Sequence, residues 1–398
     1  MGSRPRLALL LASVAWLAAC GESVTPIGAP GTEPAPGPYE TSAPRPTAAV
    51  PRQLSSYPRQ PRGVPYPTVG WPVGELPASV DRAAIDAAVD TAFGAADAAA
   101  RVRSIAIVHG GRIVYERYHP LDGPDTVFPS FSVAKSFTSA LIGLLVSDGM
   151  LSLDEPAVVP EWRRGDPRRA ITLRELLQMS SGLEWDEVYE AGEDPLEMLA
   201  APNAAAYAAA KPLESEPGTV FEYSTGTTAL LSGIAADTLG GCGQELDYLH
   251  ERLLDPLGIT TEELFLDPSG CWYGGLGADM TTRDFARFGL LFLRGGRWED
   301  EQILPTSWIE ESRVPAATNP GYGLQWWLDA EDHEWFRAAG LFGQLIVVEP
   351  DLDLVVVATT TAGGDPGPMV DTVLATFAGE PLPAPPPAAA PATLPPSR

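Results

Sequence analysis

Phe131-Ser132-Val133-Ala134-Lys135-Ser136-Phe137-Thr138-Ser139-Ala140-Leu141-Ile142 follows Pro129 and has the composition of a helix that opens near Ser132. Helical spacing puts Ser132 in the first turn and Lys135 one turn on, on the same face. A serine hydroxyl needs a base to attack a carbonyl, and a lysine three positions later can reach it. Val133, Ala134 and Phe137 would desolvate the ammonium and lower its pKa, so that neutral amine becomes accessible near neutral pH. The helix N-terminus adds backbone N–H groups, and that of Ser132 is a candidate oxyanion donor. Ser-x-x-Lys is a weak pattern in a lysine-rich chain. Here Lys135 and Lys211 are the only lysines among 398 residues, and Lys211 follows Ala208 rather than a serine.

Arg103 to His109 and Arg112 to Tyr118 read as two strands around a Gly110-Gly111 turn, a hairpin. Further strands are expected at Trp335 to Leu341, Gln344 to Val348 and Leu352 to Thr359, with Pro350-Asp351 marking the last turn. Val80 to Ala98 and Met369 to Ala378 have helical patterns. Between Ser132 and about Arg294 the chain is mostly helical, with Thr172 to Met179 and Thr227 to Leu239 as clear segments. The predicted fold is α/β (α+β): an antiparallel sheet built from both ends of the domain, flanked by terminal helices, with a helical region inserted between its halves.

The ends read differently. Residues 1–20 carry Arg4 and Arg6, an apolar run from Leu7 to Trp16, and Leu17-Ala18-Ala19-Cys20. That is a charged n-region, a short h-region and a small-residue cleavage site, too short for a permanent membrane span. Cysteine directly after Leu-Ala-Ala resembles the bacterial lipobox, which implies export and a lipid anchor on Cys20 at the cell envelope. Residues 21–77 are rich in Pro, Gly, Ser and Thr and read as an extended tether; 381–398 read as a Pro/Ala-rich tail. The folded domain is expected over 78–380. Cys242 and Cys271 remain, and sequence leaves open whether they are bridged.

Further motifs surround the serine. They are Leu173-Arg174-Glu175-Leu176-Leu177-Gln178-Met179-Ser180-Ser181-Gly182, Phe221-Glu222-Tyr223-Ser224-Thr225, Gly275-Leu276-Gly277-Ala278-Asp279-Met280-Thr281 and Gly321-Tyr322-Gly323-Leu324-Gln325-Trp326-Trp327. In order and spacing, from about Arg103 to Ala378, the chain resembles the penicillin-binding proteins and class C β-lactamases. Their relatives, the family VIII esterases and 6-aminohexanoate-dimer hydrolases, share the pattern. The resemblance implies a β-lactamase/transpeptidase-like fold and a serine hydrolase without metal or cofactor. It also implies that Tyr223, about ninety residues after Ser132, relays protons between the serine and a leaving group. Tyr189, in Glu184-Trp185-Asp186-Glu187-Val188-Tyr189, would face the cleft of such a fold, though a surface aromatic reads equally well.

Two departures bear on substrate. Where the family has Tyr-x-Asn the chain has Tyr223-Ser224-Thr225, so an amide that contacts substrate is missing. Where Lys or His, then Thr or Ser, then Gly should line the site, the best match is Ala338-Ala339-Gly340, without a cation. In β-lactamases and transpeptidases that motif helps bind the substrate carboxylate. Its loss disfavours both activities and leaves cleavage of a small-molecule ester or amide. Gly340 permits close backbone approach, and the N–H of Leu341 would be the second oxyanion donor.

Net charge is −26, from 52 acidic and 26 basic residues, which repels phosphate backbones, so no nucleic-acid partner is expected. His109, His119, His250 and His333 form no Ser-His-Asp pattern, and no Gly-x-Ser-x-Gly elbow occurs. No His or Cys lies at zinc-ligand spacing. The competing reading is a non-catalytic envelope protein that keeps the fold to bind peptidoglycan or a partner, motivated by the degraded third motif.

Overall fold

Gly110 and Gly111 turn the chain between β1 (Val102–His109) and β2 (Arg112–Tyr118) with φ of 60° and 72°. Left-handed backbone at both central positions matches the twist of the flanking strands, and only glycine adopts it without a Cβ penalty. The chain rejoins this sheet near its end through β3 (Trp327–Leu328), β4 (Phe336–Gly340), β5 (Gln344–Glu349) and β6 (Leu354–Thr360). The six strands lie in the order β2-β1-β6-β5-β4-β3, each pair antiparallel. Pairing of β1 with β6, Ile105 opposite Ala358 and Ile107 opposite Val356, closes the two ends of the domain on each other. This computed structural model describes residues 57–61, 63–94, 101–328, 335–361 and 364–379. The leader with Cys20, the tether to residue 56 and the 381–398 tail lie outside them.

Five helices organise the rest: α1 (Arg82–Phe93), α2 (Ala134–Ser147), α3 (Thr225–Leu239), α4 (Thr282–Leu293) and α5 (Gly367–Ala378). Leu345, Val347, Leu354, Val356 and Ala358 pack with Ile85, Val89 and Val373 of α1 and α5 on one face of the sheet. Ile346, Val348, Val355 and Val357 pack with Phe288 and Leu291 of α4 on the other. Both faces are covered, which is why β6 reads as a continuous apolar run rather than an alternating one. Each such fully buried Val, Leu or Ile contributes about 1.5–3 kcal/mol. The residues that lead into α2 meet the C-terminal end of β4, where Gly340 lies against Ser130 and Phe131.

Three boundaries differ from the sequence reading. α1 is shorter than Val80 to Ala98: the Asp81 carboxylate caps it by accepting from Ala84 N–H (3.1 Å), and Gly94 closes it. β4 stops at Gly340, and Leu341 opens a short 3-10 turn. The tether gives way to a strap at Tyr57. Tyr57 donates to Phe292 O (2.6 Å), Arg287 Nε donates to Pro67 O (3.0 Å), Trp71 Nε1 donates to Arg283 O (3.2 Å), and Val73 bridges Ile113 of β2 in parallel. Residues 57–61 and 63–74 therefore run antiparallel along α4 and then cover the edge strand β2. Composition hid this because the prolines keep the segment extended while Tyr57, Tyr66 and Trp71 supply the anchors. Cys242 and Cys271 are joined as a disulfide.

Candidate active site

Ser132 sits in a 3-10 turn, Phe131–Val133, that leads straight into α2. Phe131 holds φ of 44°, a left-handed conformation that costs a non-glycine residue about 1–2 kcal/mol. Across the cleft Phe342 holds φ of 66°, and the two rings meet edge to face at 5.3 Å. Such backbone persists only where surrounding contacts fix it, and here they do. Ser130 N–H donates to Asp279 Oδ1 (2.8 Å), and Ala278 N–H donates to Ser130 Oγ (2.9 Å), so the Gly275 to Thr281 motif clamps the residues preceding the serine.

Lys135 is 1% exposed. Its Nζ donates to Gly275 O (2.8 Å) and Thr225 Oγ1 (2.9 Å) and lies 3.0 Å from Ser132 Oγ. Burial lowers its pKa to about 8, partly opposed by the charge of Glu187. An amine with two fixed acceptors directs both of its hydrogens to them when neutral, which leaves the lone pair for the third neighbour. That neighbour is the Ser132 hydroxyl. The geometry thus turns the amine's remaining direction towards a hydroxyl.

Tyr223 is hydrogen-bonded to Ser132, and its ring lies 5.0 Å from Lys135 Nζ. Trp327 stacks on it at 5.5 Å and Tyr322 meets it edge-on at 6.1 Å. Burial pushes its phenol far up, Glu187 adds to this, and the Ser132 bond opposes it only weakly. Tyr223 is therefore a protonated phenol and a donor at rest. Tyr189 also belongs to the site: its hydroxyl lies 3.1 Å from Glu187 Oε1 and 3.4 Å from Thr225 Oγ1, and burial raises its pKa.

Gly340 ends β4 against the serine turn. A Cβ there would stand 2.5 Å from Ser130 O and 3.3 Å from Phe131 Cβ, so a glycine is needed for the strand to approach. Leu341 follows at the mouth, half-buried. Ala338 is buried where the resembling families carry a cation. The histidines have other surroundings: His109 packs on Phe377, His119 meets Arg101, His250 faces Asp255 and Glu262, and His333 lies outside the described residues.

The sequence reading missed Glu187 and gave Thr225 no role of its own. Thr225 is the first residue of α3, and both its N–H (2.8 Å) and its hydroxyl donate to Glu187. Trp185 Nε1 donates to the same carboxylate. Gly226 lets Trp185 lie against the first turn of α3, since a Cβ would come within 2.2 Å of the indole. Gln325 was also missed: it accepts from Thr228 at its side chain and from Ser136 at its carbonyl (both 2.8 Å), tying α3 and α2 to the Gly321 to Trp327 loop. The one available signal for Glu187 was its place two residues before Tyr189, on the same side of an extended segment.

Residues 82–379 match the Beta-lactamase family model. A 6-aminohexanoate-dimer hydrolase of Paenarthrobacter ureafaciens is 23% identical over 282 residues, covering 63% of this chain and 70% of that protein. Among solved structures, a candidate 6-aminohexanoate-dimer hydrolase from Bacillus anthracis superposes with a TM-score of 0.64 at 22% identity, over 78% of this chain and 87% of that one. A family VIII carboxylesterase superposes with a TM-score of 0.57 at 14% identity, over 73% and 93% respectively. The chain belongs to the Beta-lactamase family and is a serine hydrolase of that fold.

Proposed function

We propose that this protein hydrolyses a small-molecule ester or amide through an acyl-enzyme on Ser132. The observation that carries the reading is the orientation of Lys135, whose two fixed acceptors leave its third bonding direction for Ser132 Oγ at 3.0 Å. In acylation, Oγ bonds to the carbonyl carbon, its proton passes to Lys135 Nζ, and the carbonyl π pair moves to oxygen. The N–H groups of Ser132 and Leu341 hold that oxyanion. Tyr223, protonated at rest, donates to the departing oxygen or nitrogen and is recharged from Lys135. Water then attacks the acyl carbon by the same route in reverse and frees the acid and Ser132.

Ala338 supports the choice of substrate class, because an apolar side chain in that place gives a substrate carboxylate no partner. Ester and amide cleavage need none, whereas β-lactam turnover is disfavoured. The leader ending at Cys20 supports export and lipid anchoring at the cell envelope.

The test uses protein lacking residues 1–20, a fluorophosphonate probe, and p-nitrophenyl acetate and butyrate, beside Ser132→Ala. Adduct on Ser132 and turnover lost in the variant are the expected results. A folded sample with neither labelling nor turnover would leave the non-catalytic binding reading, and rapid hydrolysis of a chromogenic cephalosporin would overturn the substrate assignment.

A further inference from the structure

Four donors converge on Glu187: Thr225 N–H, Thr225 Oγ1, Trp185 Nε1 and the Tyr189 hydroxyl. A carboxylate has about four acceptor positions, so this set fills it and fixes its orientation. It also stands at the N-terminus of the fifteen-residue α3, whose free N–H groups favour negative charge. The Thr225 hydroxyl has one hydrogen, and that hydrogen goes to Glu187. Its lone pairs therefore face Lys135 Nζ, and the hydroxyl is an acceptor there rather than a donor.

We infer that Glu187 is a positioning residue of the acylation step, acting on Lys135 through Thr225. The inference rests on the proposed acyl-enzyme reading and adds a member to it. When the Ser132 proton reaches Lys135, an ammonium appears in a buried site, and Glu187 is the carboxylate that faces it at one hydroxyl's remove. Glu187 sets the direction of the Thr225 dipole and stabilises the charge that develops, so Thr225 serves where an amide would otherwise stand. The other ionisable groups around Lys135 are Tyr189 on the same loop, Tyr223 before α3, and Tyr322 on the Gly321 to Trp327 loop. Asp279 on the neighbouring strand accepts from Ser130 N–H. Burial raises all three tyrosines, leaving Glu187 as the carboxylate hydrogen-bonded into the Lys135 network.

The experiment is the pH dependence of kcat and kcat/KM for p-nitrophenyl butyrate in wild type, Glu187→Gln, Thr225→Val and Thr225→Ser, with thermal melts. Removing the charge lets burial act on Lys135 unopposed, so the midpoint of the acid limb in Glu187→Gln moves to lower pH by about one unit. The alkaline plateau of kcat falls about tenfold while KM stays within about twofold. Thr225→Val gives the same direction of change with Glu187 in place, and Thr225→Ser restores the wild-type profile. If Glu187→Gln proves unfolded by its melt, the Thr225 pair decides by itself. A plateau that falls with an unmoved midpoint, or a midpoint that rises, overturns the assignment of Glu187. Failure of wild-type Ser132 to take a fluorophosphonate would instead overturn the underlying acyl-enzyme reading.

Discussion

The chain's two lysines stand in opposite surroundings. Lys135 is enclosed and meets neutral oxygens, those of Ser132, Thr225 and Gly275, so burial lowers its pKa to about 8. Lys211 also loses water, yet it contacts the Asp194 carboxylate directly and lies 5.2 Å from the Tyr207 ring. Burial pulls its pKa down, but Asp194 and Tyr207 together outweigh that and the net shift is upward. The same side chain is thus easier to deprotonate in one place and held charged in the other. The difference is whether a carboxylate touches the nitrogen or stands behind a hydroxyl.

Removing the Lys135 amine has the largest expected effect. Lys135→Met keeps the volume and removes the amine, and ester turnover is expected to fall about 1,000-fold with the melt unchanged or raised, since a buried ammonium is lost. Retention of more than about a tenth of the wild-type rate would assign the base elsewhere.

Thr225→Asp would graft the surroundings of Lys211 onto Lys135. A carboxylate in direct contact raises the lysine's pKa, so the acid limb moves above pH 8. If the rise is about two units, the neutral amine at pH 7 and the rate there both fall about 100-fold, with recovery towards pH 10. A profile that keeps its midpoint near 8 would mean that contact charge does not govern this lysine.

Asp194→Asn tests the other side and has the smallest effect. It uncouples Lys211, and a loss of about 1–2 kcal/mol is expected, read as a fall of roughly 3–6 °C in Tm. Esterase rate should stay within about twofold of wild type. A large loss of rate would place Lys211 in the reaction.

The closeness of Ser132 to Lys135 was legible in sequence because helical spacing is local. The sheet was legible too, since β5 and β6 bury both faces and read as unbroken apolar runs. Glu187 was not, because its role depends on a loop meeting the N-terminus of α3, a contact 38 residues apart. Thr225 was read as a missing amide, because residue type does not tell which way a hydroxyl points. The strap over α4 was hidden by proline content, since composition reports extended backbone but not what the aromatics between the prolines touch.

The central claim is that neutral Lys135 activates Ser132, and the rate of Ser132 modification by a fluorophosphonate as a function of pH tests it most directly. The rate is expected to rise tenfold per pH unit and level off with a midpoint near 8, with all adduct on Ser132 and no such rise in Lys135→Met. A rate independent of pH, or a rise that survives in Lys135→Met, would contradict it.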